Sequence, residues 1–223
     1  MATRTLDSLR RGARIHSLFY ASHIARNADR LYDVAWQGLG YRRTSKEGAH
    51  GIVLFGRLGA VGAFFDPAAE ARLGKAKKKG GAQALVDLVK GMPPALAAVT
   101  KREVFPAMSL DSDRPSITSL FWADAKDGAL AAARPWARID EDGAHLVSAE
   151  VLAPDACVDA LAARYAFDPS RVDAIRATFA SDCALAEPAN GKIVLPPDVR
   201  QALGVLPNQA TRELLAGAAI ELG

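Results

Sequence analysis

The chain has 223 residues, of which half are hydrophobic and about a quarter are charged, so it can bury a substantial core. No apolar run approaches the ~20 residues that a membrane-spanning helix needs, and the N-terminal segment lacks the apolar stretch of a secretory signal. Two cysteines, Cys157 and Cys183, are too few for a disulfide framework. We therefore expect a cytoplasmic globular protein, and the excess of arginine over lysine is typical of a GC-rich bacterial genome.

The net charge of +3 conceals an asymmetry along the chain. Residues 1–102 hold 18 basic and 7 acidic side chains, a balance of +11, whereas residues 103–223 hold 10 basic and 18 acidic ones, a balance of −8. Such a split is typical either of a basic face that meets a polyanion or of two halves that attract each other, within one fold or across a dimer. We favour the second interpretation.

Helical spacing dominates the start of the chain. From Leu6 to about Gln37, apolar residues recur every three or four positions. A capping signal at Asn27 to Asp29 predicts that a second helix runs over Asp29–Gln37. The segment Ile15–Tyr20 is ambiguous, because its composition also suits a strand.

The stretch His50–Pro67 is the element around which we expect the fold to be organised. It predicts two short apolar strands, Ile52–Phe55 and Val61–Phe65, joined by a turn in which glycines accept the positive φ angles of a tight hairpin. The strands are rich in β-branched and aromatic residues, and the one charge between them is Arg57 at the turn. We therefore expect this hairpin to be buried on at least one face.

Two further β segments are predicted after the hairpin. Ser116–Asp124 has the composition of a strand, and Trp136–Ile139 and His145–Leu152 flank an acidic turn that predicts a second hairpin. Residues 102–115 are rich in proline and aspartate and should be irregular. Helical segments are predicted at Ala68–Leu73, Ala82–Lys90, Pro93–Thr100, Pro154–Tyr165 and Arg171–Ala180.

Residues 187–191, Glu-Pro-Ala-Asn-Gly, are the best candidate for a domain boundary. Beyond them we predict a strand at Lys192–Leu195, a helix at Pro197–Leu203 and a terminal helix at Gln209–Leu222. The complete pattern predicts an α+β fold in which antiparallel hairpins form a mixed sheet packed by helices. Residues 1–186 would be the main domain, and residues 187–223 a short strand-helix-helix segment for docking or assembly.

The segment Asn190–Gly204, NGKIVLPPDVRQALG, resembles the start of an AbrB-type looped-hinge DNA-binding domain. In that family a glycine and a basic residue lead a strand, which is followed by a proline and a short helix ending in Leu-Gly. The family then continues with a Gly-Asp turn and a second strand, whereas Leu206–Leu222 is rich in alanine and leucine. The resemblance covers about fifteen residues. An ordinary strand, turn and helix would account for the same residue pattern. The matching residues are Gly191, Lys192, Ile193, Pro196, Val199, Arg200, Leu203 and Gly204.

The sequence contains no familiar catalytic or cofactor motif. Gly56, Gly59 and Gly62 have the spacing G-x-x-G-x-x-G rather than the dinucleotide-binding G-x-G-x-x-G, and a strand follows them instead of a helix. The histidines form neither H-x-x-x-H nor H-E-x-x-H, and G-x-S-x-G is missing. We therefore predict no cofactor and no metal, and the pattern favours a binding protein over an enzyme. The histidines are His16, His23, His50 and His145.

Two clusters are candidates for a partner or polyanion surface. An aromatic and basic cluster precedes the hairpin, and Trp, Tyr and Arg are enriched at interface hot spots. A glycine-bounded lysine loop follows the hairpin, and its ammonium groups could meet phosphates. The alternatives are that Tyr32 and Trp36 pack on the sheet from one helix face, and that the lysines only solvate a loop. The residues of this surface are Tyr32, Trp36, Tyr41, Arg42, Arg43, Lys75, Lys77, Lys78 and Lys79.

Three functions stay open on the sequence alone. We prefer a non-catalytic accessory protein that binds a protein partner or a second copy of itself. The second is a small-molecule enzyme with a pocket at the open end of the sheet, where His50 and His145 each follow Gly-Ala and precede an apolar run. The third is a nucleic-acid or polyanion binder whose contacts would come from the lysine loop and from Arg10, Arg11, Arg14, Arg42 and Arg43.

Overall fold

A computed structural model describes residues 4–25, 33–76, 83–109, 115–180, 193–205 and 207–222. Residue contacts divide the chain into two compact units. The first unit comprises Met1–Leu6 and Leu39–Ser148, and the second comprises Asp7–Gly38 and Ala149–Gly223. The second unit is therefore discontinuous in sequence. The chain has the predicted α+β fold.

Helices and strands follow one another in mixed order along the described residues. The helices are α1 (Leu6–Ile24), α2 (Pro67–Ala76), α3 (Gln83–Leu88), α4 (Pro94–Val99), α5 (Phe105–Ala107), α6 (Trp136–Glu141), α7 (Pro154–Tyr165), α8 (Pro169–Ala180), α9 (Pro197–Leu203) and α10 (Gln209–Gly217). The strands are β1 (Val34–Gln37), β2 (Gly40–Thr44), β3 (His50–Gly56), β4 (Gly59–Phe65), β5 (Ser119–Asp124), β6 (Leu130–Ala131), β7 (Ile193–Leu195) and β8 (Ile220–Leu222). A π-helical turn over Thr100–Val104 joins α4 to α5, and a 3-10 helix spans Ala144–Val147.

The first unit is built on antiparallel strands β2 to β6, each paired with the next. The predicted hairpin forms its centre as β3 and β4, and the predicted strand before Asp124 forms β5. The turn between β3 and β4 requires glycine at position 59. Its φ is 131°, and a Cβ there would lie 1.8 Å from the carbonyl oxygen of Ala123.

Helices cover both faces of this sheet. On one face, α3, α4 and α5 pack on the strands and bury an apolar core. On the other face, the rings of Phe64 and Phe121 lie 5.8 Å apart, and Phe121 meets Trp136 of α6 at 5.5 Å. The core of the first face comprises Ile52, Val61, Ala63, Leu88, Met92, Leu96, Val104, Met108, Ile117, Leu120 and Trp122.

The second unit combines helices with a small parallel sheet. Strands β7 and β8 pair in parallel, with Ile193 opposite Ile220, and α9 and α10 lie between them in sequence. The predicted strand and helix at the start of this segment are confirmed, whereas the predicted terminal helix ends at Gly217 and gives way to β8. Residues 181–192 lie outside the described part of the chain, so a domain boundary at 187 stays a prediction.

The helix predicted over Asp29–Gln37 is wrong for residues 33–37, the part of it that the structure describes. Helix α1 ends at Ile24, and Val34–Gln37 is the strand β1. Tertiary packing decides this segment, because β1 lies against α10 and the indole Nε1 of Trp36 donates a hydrogen bond to Ser17 Oγ at 2.9 Å. Local helical spacing was too weak to compete with these contacts.

The predicted hairpin over residues 136–152 is also wrong, since this segment forms α6 and a 3-10 helix. Pro135 has the extended backbone that precedes a helix, and Gly143, at a φ of 133°, separates α6 from the 3-10 helix. Residues 102–107, predicted to be irregular, are helical instead. The π turn allows this, because the amide of Phe105 reaches back five residues to the carbonyl of Thr100.

Candidate functional site

The first unit contains a cavity of about 220 Å³ at one edge of its sheet. The cavity lies beside β2 and β3, where the end of α5 approaches the strands. It is smaller than the roughly 300–1,000 Å³ of pockets for drug-sized ligands, so it suits a compact molecule. The lining residues are Arg42, Arg43, Thr44, His50, Gly51, Ile52, Ala107 and Met108.

The strand register divides these residues between the two faces of the sheet. Arg42 pairs with Ile52 and Thr44 pairs with His50, so these four side chains share the face that α5 covers. Arg43 alternates to the opposite face, where its Nη1 donates to the carbonyl of Leu146 at 2.7 Å. Arg42, Thr44 and His50 therefore supply the polar side chains of the cavity.

Arg42 is half-buried at the wall of the cavity. Its Nη2 donates to the carbonyl of Ala107 at 3.1 Å, which anchors one branch of the guanidinium. Within the described residues, no carboxylate lies within ion-pair distance of Arg42. The guanidinium thus retains positive charge and N–H donors that the fold does not neutralise.

His50 lies across the strand pair from Thr44. Its Nδ1 is 3.1 Å from the carbonyl of Gly48, so in the neutral ring Nδ1 carries the proton and Nε2 is the acceptor. Nε2 is buried and has no hydrogen-bond partner among the described residues. The ring also contacts Phe65, at 5.2 Å between centroids. The imidazole is therefore held in place by its surroundings, with one acceptor atom unused.

His145, the other histidine proposed for this pocket, is not among the lining residues. Its Nδ1 lies 3.2 Å from the carbonyl of Asp140 and 4.0 Å from Oδ2 of Asp66. The cavity that His50 lines therefore does not include His145. The hypothesis of an enzyme that uses both histidines at one pocket gains no support from this geometry.

The other residues predicted for a partner surface occupy different environments. Tyr41 is fully buried and Arg43 is 4% exposed. Trp36 belongs to the second unit, where it is half-buried. Lys75 lies near the end of α2. Tyr32, Lys77, Lys78 and Lys79 lie outside the described residues.

An arginine cluster surrounds a buried carboxylate elsewhere in the first unit. Asp142 has no exposed side-chain surface, and its Oδ2 lies 2.8 Å from Nη1 of Arg134 and 3.1 Å from Nε of Arg138. Arg72 approaches the other oxygen at 3.4 Å. Asp142 belongs to the acidic turn of the predicted hairpin, but it lies after α6 and its carboxylate is buried. The Asp142 carboxylate therefore links Arg72 of α2 and Arg138 of α6 to Arg134 in the loop that precedes α6.

The second unit holds a buried Glu–His–Tyr chain that the sequence did not predict. His16 Nδ1 lies 2.7 Å from Oε1 of Glu150, and His16 Nε2 lies 2.6 Å from the hydroxyl of Tyr165. The side chains of His16 and Glu150 are fully buried, whereas Tyr165 is partly exposed. Burial raises the pKa of the nearby Cys157 thiol well above its usual range, and the negative charge of Glu150 adds to the effect. Cys157 therefore stays a neutral thiol at physiological pH.

Two further properties bear on function. Among the described residues, no group of three or more His, Cys, Asp or Glu side chains could hold a metal ion. In the same part of the chain, no helix has both the length and the apolar character needed to cross a membrane.

Comparisons with protein-family models, with curated proteins and with solved structures found no match for this chain. The resemblance of residues 190–204 to AbrB-type domains is accordingly not supported by a family model.

Proposed function

We propose that the chain is a binding protein whose first unit takes a compact carboxylate with a short apolar chain. The observation that carries this proposal is Arg42, a half-buried guanidinium at a cavity wall without a carboxylate partner among the described residues. An arginine fork matches the two oxygens of a carboxylate and holds them with charge-assisted hydrogen bonds.

The rest of the cavity fits the remaining parts of such a ligand. Thr44 lies on the same sheet face as Arg42, and its hydroxyl can donate a further hydrogen bond to the carboxylate. Ile52 and Met108, which are 6% and 2% exposed, supply an apolar wall. A polar end beside an apolar end is the usual arrangement of a small-molecule site.

Binding accounts for this arrangement better than catalysis does. A hydroxyl nucleophile needs a base within hydrogen-bond distance, and Thr44 is the hydroxyl residue of the cavity lining. His50 Nε2 has no hydrogen-bond partner among the described residues, so it does not activate Thr44.

Isothermal titration calorimetry with acetate and butyrate tests the proposal. Each buried methylene contributes about 0.8 kcal/mol, so the two extra methylenes of butyrate should tighten binding by up to about 15-fold. Arg42→Met should abolish binding of both acids. The matched control is Arg57→Met, which removes the same charge from the exposed turn between β3 and β4 and should leave binding unchanged.

Two results would count against the proposal. One is that neither acid binds the wild-type chain at millimolar concentration. The other is that Arg42→Met and Arg57→Met weaken binding equally, since this would indicate general attraction to a positive protein rather than a site. Inorganic phosphate serves as a comparison anion, and if it alone bound, the site would recognise charge without the apolar chain.

Self-association is a second candidate function, favoured by two exposed leucines. Leu39 and Leu58 are 61% and 47% exposed. They lie at the same end of the sheet, because the carbonyl of Leu39 accepts from Phe55 and Leu58 follows β3 directly. The opposite charge balance of the two halves of the sequence also suits a second copy as partner. Light scattering at low and high salt tests this, and a monomer under both conditions would contradict it.

Contact between the basic N-terminal half and nucleic acid also stays a proposal. The half-buried state of Arg10, Arg11 and Arg14 reduces the charge they can present to phosphates. A gel-shift titration at low salt, compared with the triple alanine variant of Lys77, Lys78 and Lys79, tests the contribution of the lysine loop.

A further inference from the structure

We propose that Tyr165 is a nucleophilic tyrosine, activated by His16 and Glu150, that accepts an acyl group from an activated ester. The proposal concerns the second unit and is independent of the cavity beside β2 and β3. It depends on the hydrogen-bonded chain from Glu150 through His16 to Tyr165, on the burial of His16 and Glu150, and on the partial exposure of Tyr165.

The first step is the orientation of the imidazole. Glu150 Oε1 accepts a hydrogen bond from His16 Nδ1 at 2.7 Å. This bond fixes the proton on Nδ1 and leaves the lone pair of Nε2 directed at Tyr165. The Tyr165 hydroxyl lies 2.6 Å from that nitrogen, within the distance at which a base can take a proton. Glu150 is therefore a positioning residue, and His16 is the base.

The second step is the protection of this chain from water. His16 and Glu150 have no exposed side-chain surface, so the carboxylate and the imidazole interact in a medium of low dielectric. The positive charge that His16 acquires when it takes a proton is then stabilised by the adjacent carboxylate. This is the physical arrangement of a nucleophile, base and acid triad, here with a phenol as the nucleophile.

The third step is access to Tyr165. Tyr165 is the last residue of α7 and is partly exposed. Aromatic rings surround it: His23 lies at 5.0 Å between centroids, Phe19 at 6.3 Å and Phe167 at 6.2 Å. These contacts fix the orientation of the Tyr165 ring. Cys157, the other potential nucleophile near Glu150, stays protonated and does not compete.

The reaction that this geometry supports is a single acyl transfer. The phenolic oxygen of Tyr165 attacks the carbonyl carbon of the ester while its proton passes to Nε2 of His16. The bond between the carbonyl carbon and the leaving-group oxygen then breaks, and the leaving oxygen takes the proton from His16 or leaves as an anion. The products are an acyl ester of Tyr165 and the released alcohol, so that no oxidant or reductant is needed.

The experiment uses p-nitrophenyl acetate as the acyl donor and the full chain as the acceptor. Acetylation is followed by release of p-nitrophenolate and is located by mass spectrometry of tryptic peptides. We expect Tyr165 to be acetylated at pH 7 on the order of 100-fold faster than N-acetyltyrosinamide, because general base catalysis contributes about 10²–10⁴-fold. The rate for N-acetyltyrosinamide should keep rising toward the ordinary phenol pKa of about 10, whereas the rate at Tyr165 should level off earlier.

Variants test whether His16 activates Tyr165 or whether the tyrosine reacts only because it is accessible. His16→Asn keeps an amide donor for Glu150 and removes the base, so acetylation should fall to the rate of N-acetyltyrosinamide. Tyr165→Phe should remove the label from that peptide. The matched control is His23→Gln, which removes the other imidazole beside the Tyr165 ring and should keep most of the rate.

The wild-type measurement alone can overturn the proposal, even if His16→Asn fails to fold. Tyr165 acetylated no faster than N-acetyltyrosinamide, or with the same pH profile, would show that the Glu–His–Tyr chain only stabilises the fold. The same conclusion would follow if a correctly folded His16→Asn variant, checked by circular dichroism, reacted at the wild-type rate.

Discussion

A single methyl group added at Gly12 should destabilise the second unit. Gly12 lies in α1, one turn before His16, and the backbone of Glu150 passes directly over it. A Cβ at this position would lie 2.2 Å from the carbonyl oxygen and 2.3 Å from the Cα of Glu150, whereas ordinary contacts begin at 3.4 Å. Gly12→Ala therefore requires a displacement of about 1.2 Å between two backbone segments, and neither segment can rotate away as a side chain would.

Three energies decide the size of the effect. Alanine is favoured over glycine inside a helix by about 1 kcal/mol, which opposes the loss. Overpacking costs about 1–3 kcal/mol. Displacing Glu150 also strains its buried 2.7 Å hydrogen bond with His16, whose loss would cost about 1–3 kcal/mol. The net expectation is a loss of about 1–5 kcal/mol in the free energy of unfolding.

Urea unfolding followed by circular dichroism, with linear extrapolation to water, measures this loss. The matched control is Gly56→Ala, since nothing lies within 4 Å of a Cβ at that position. We expect the control to change stability by less than about 0.5 kcal/mol. A Gly12→Ala variant as stable as the wild type, or a control destabilised to the same extent, would refute the reasoning.

Two further predictions concern buried ionisable groups. Because the pKa of Cys157 is raised in the folded state, the unfolded chain loses this proton first, above the ordinary thiol pKa of about 8.5. Stability should therefore be fully retained below about pH 8.5 and fall above it by up to about 1.4 kcal/mol per pH unit. Cys157→Ala should remove this slope in urea titrations, and an identical slope in both proteins would contradict the burial argument. Asp142→Asn leaves the guanidinium of Arg134 without its charged partner and should cost about 1–3 kcal/mol in thermal unfolding, less than a fully buried pair because Arg134 is partly exposed. Glu141→Gln, at a 62% exposed neighbour, should have almost no effect, and equal losses in both variants would argue against a special role for Asp142.

The parts of the fold that the sequence predicted well are those decided by local chemistry. β3 and β4 follow from β-branched and aromatic residues on either side of a glycine turn, and α9 follows from the proline before it and the glycine after it. Residues 136–152 contain the same kinds of residue, but their apolar runs are too short to distinguish a strand from a helix. The burial of Asp142 by three arginines decided that segment, and pairing of this kind cannot be predicted from local spacing.

The sequence predicted part of the cavity beside His50 but nothing of the Glu–His–Tyr chain. His50 was selected because it leads an apolar strand, and the cavity lies beside it. His16 lies 134 positions from Glu150 and 149 from Tyr165, so no spacing rule connects the three. The available signal was a histidine among the buried apolar residues of α1, because a buried polar group requires a partner. That signal indicates that a partner exists without identifying it.

The discontinuity of the second unit has a consequence for the order of events during protein synthesis. The strands β2 to β6 pair with their neighbours in sequence, so the first unit can complete its sheet from contacts that are local along the chain. Helix α1 is synthesised before that sheet, but Glu150 and Tyr165 emerge only after it. Until then, His16 lacks its hydrogen-bond partners Glu150 and Tyr165, and the apolar residues on the same face of α1 are exposed to water. The nascent chain is therefore most prone to aggregation while the first unit is being made, and mutations that slow folding of its sheet would prolong that exposure.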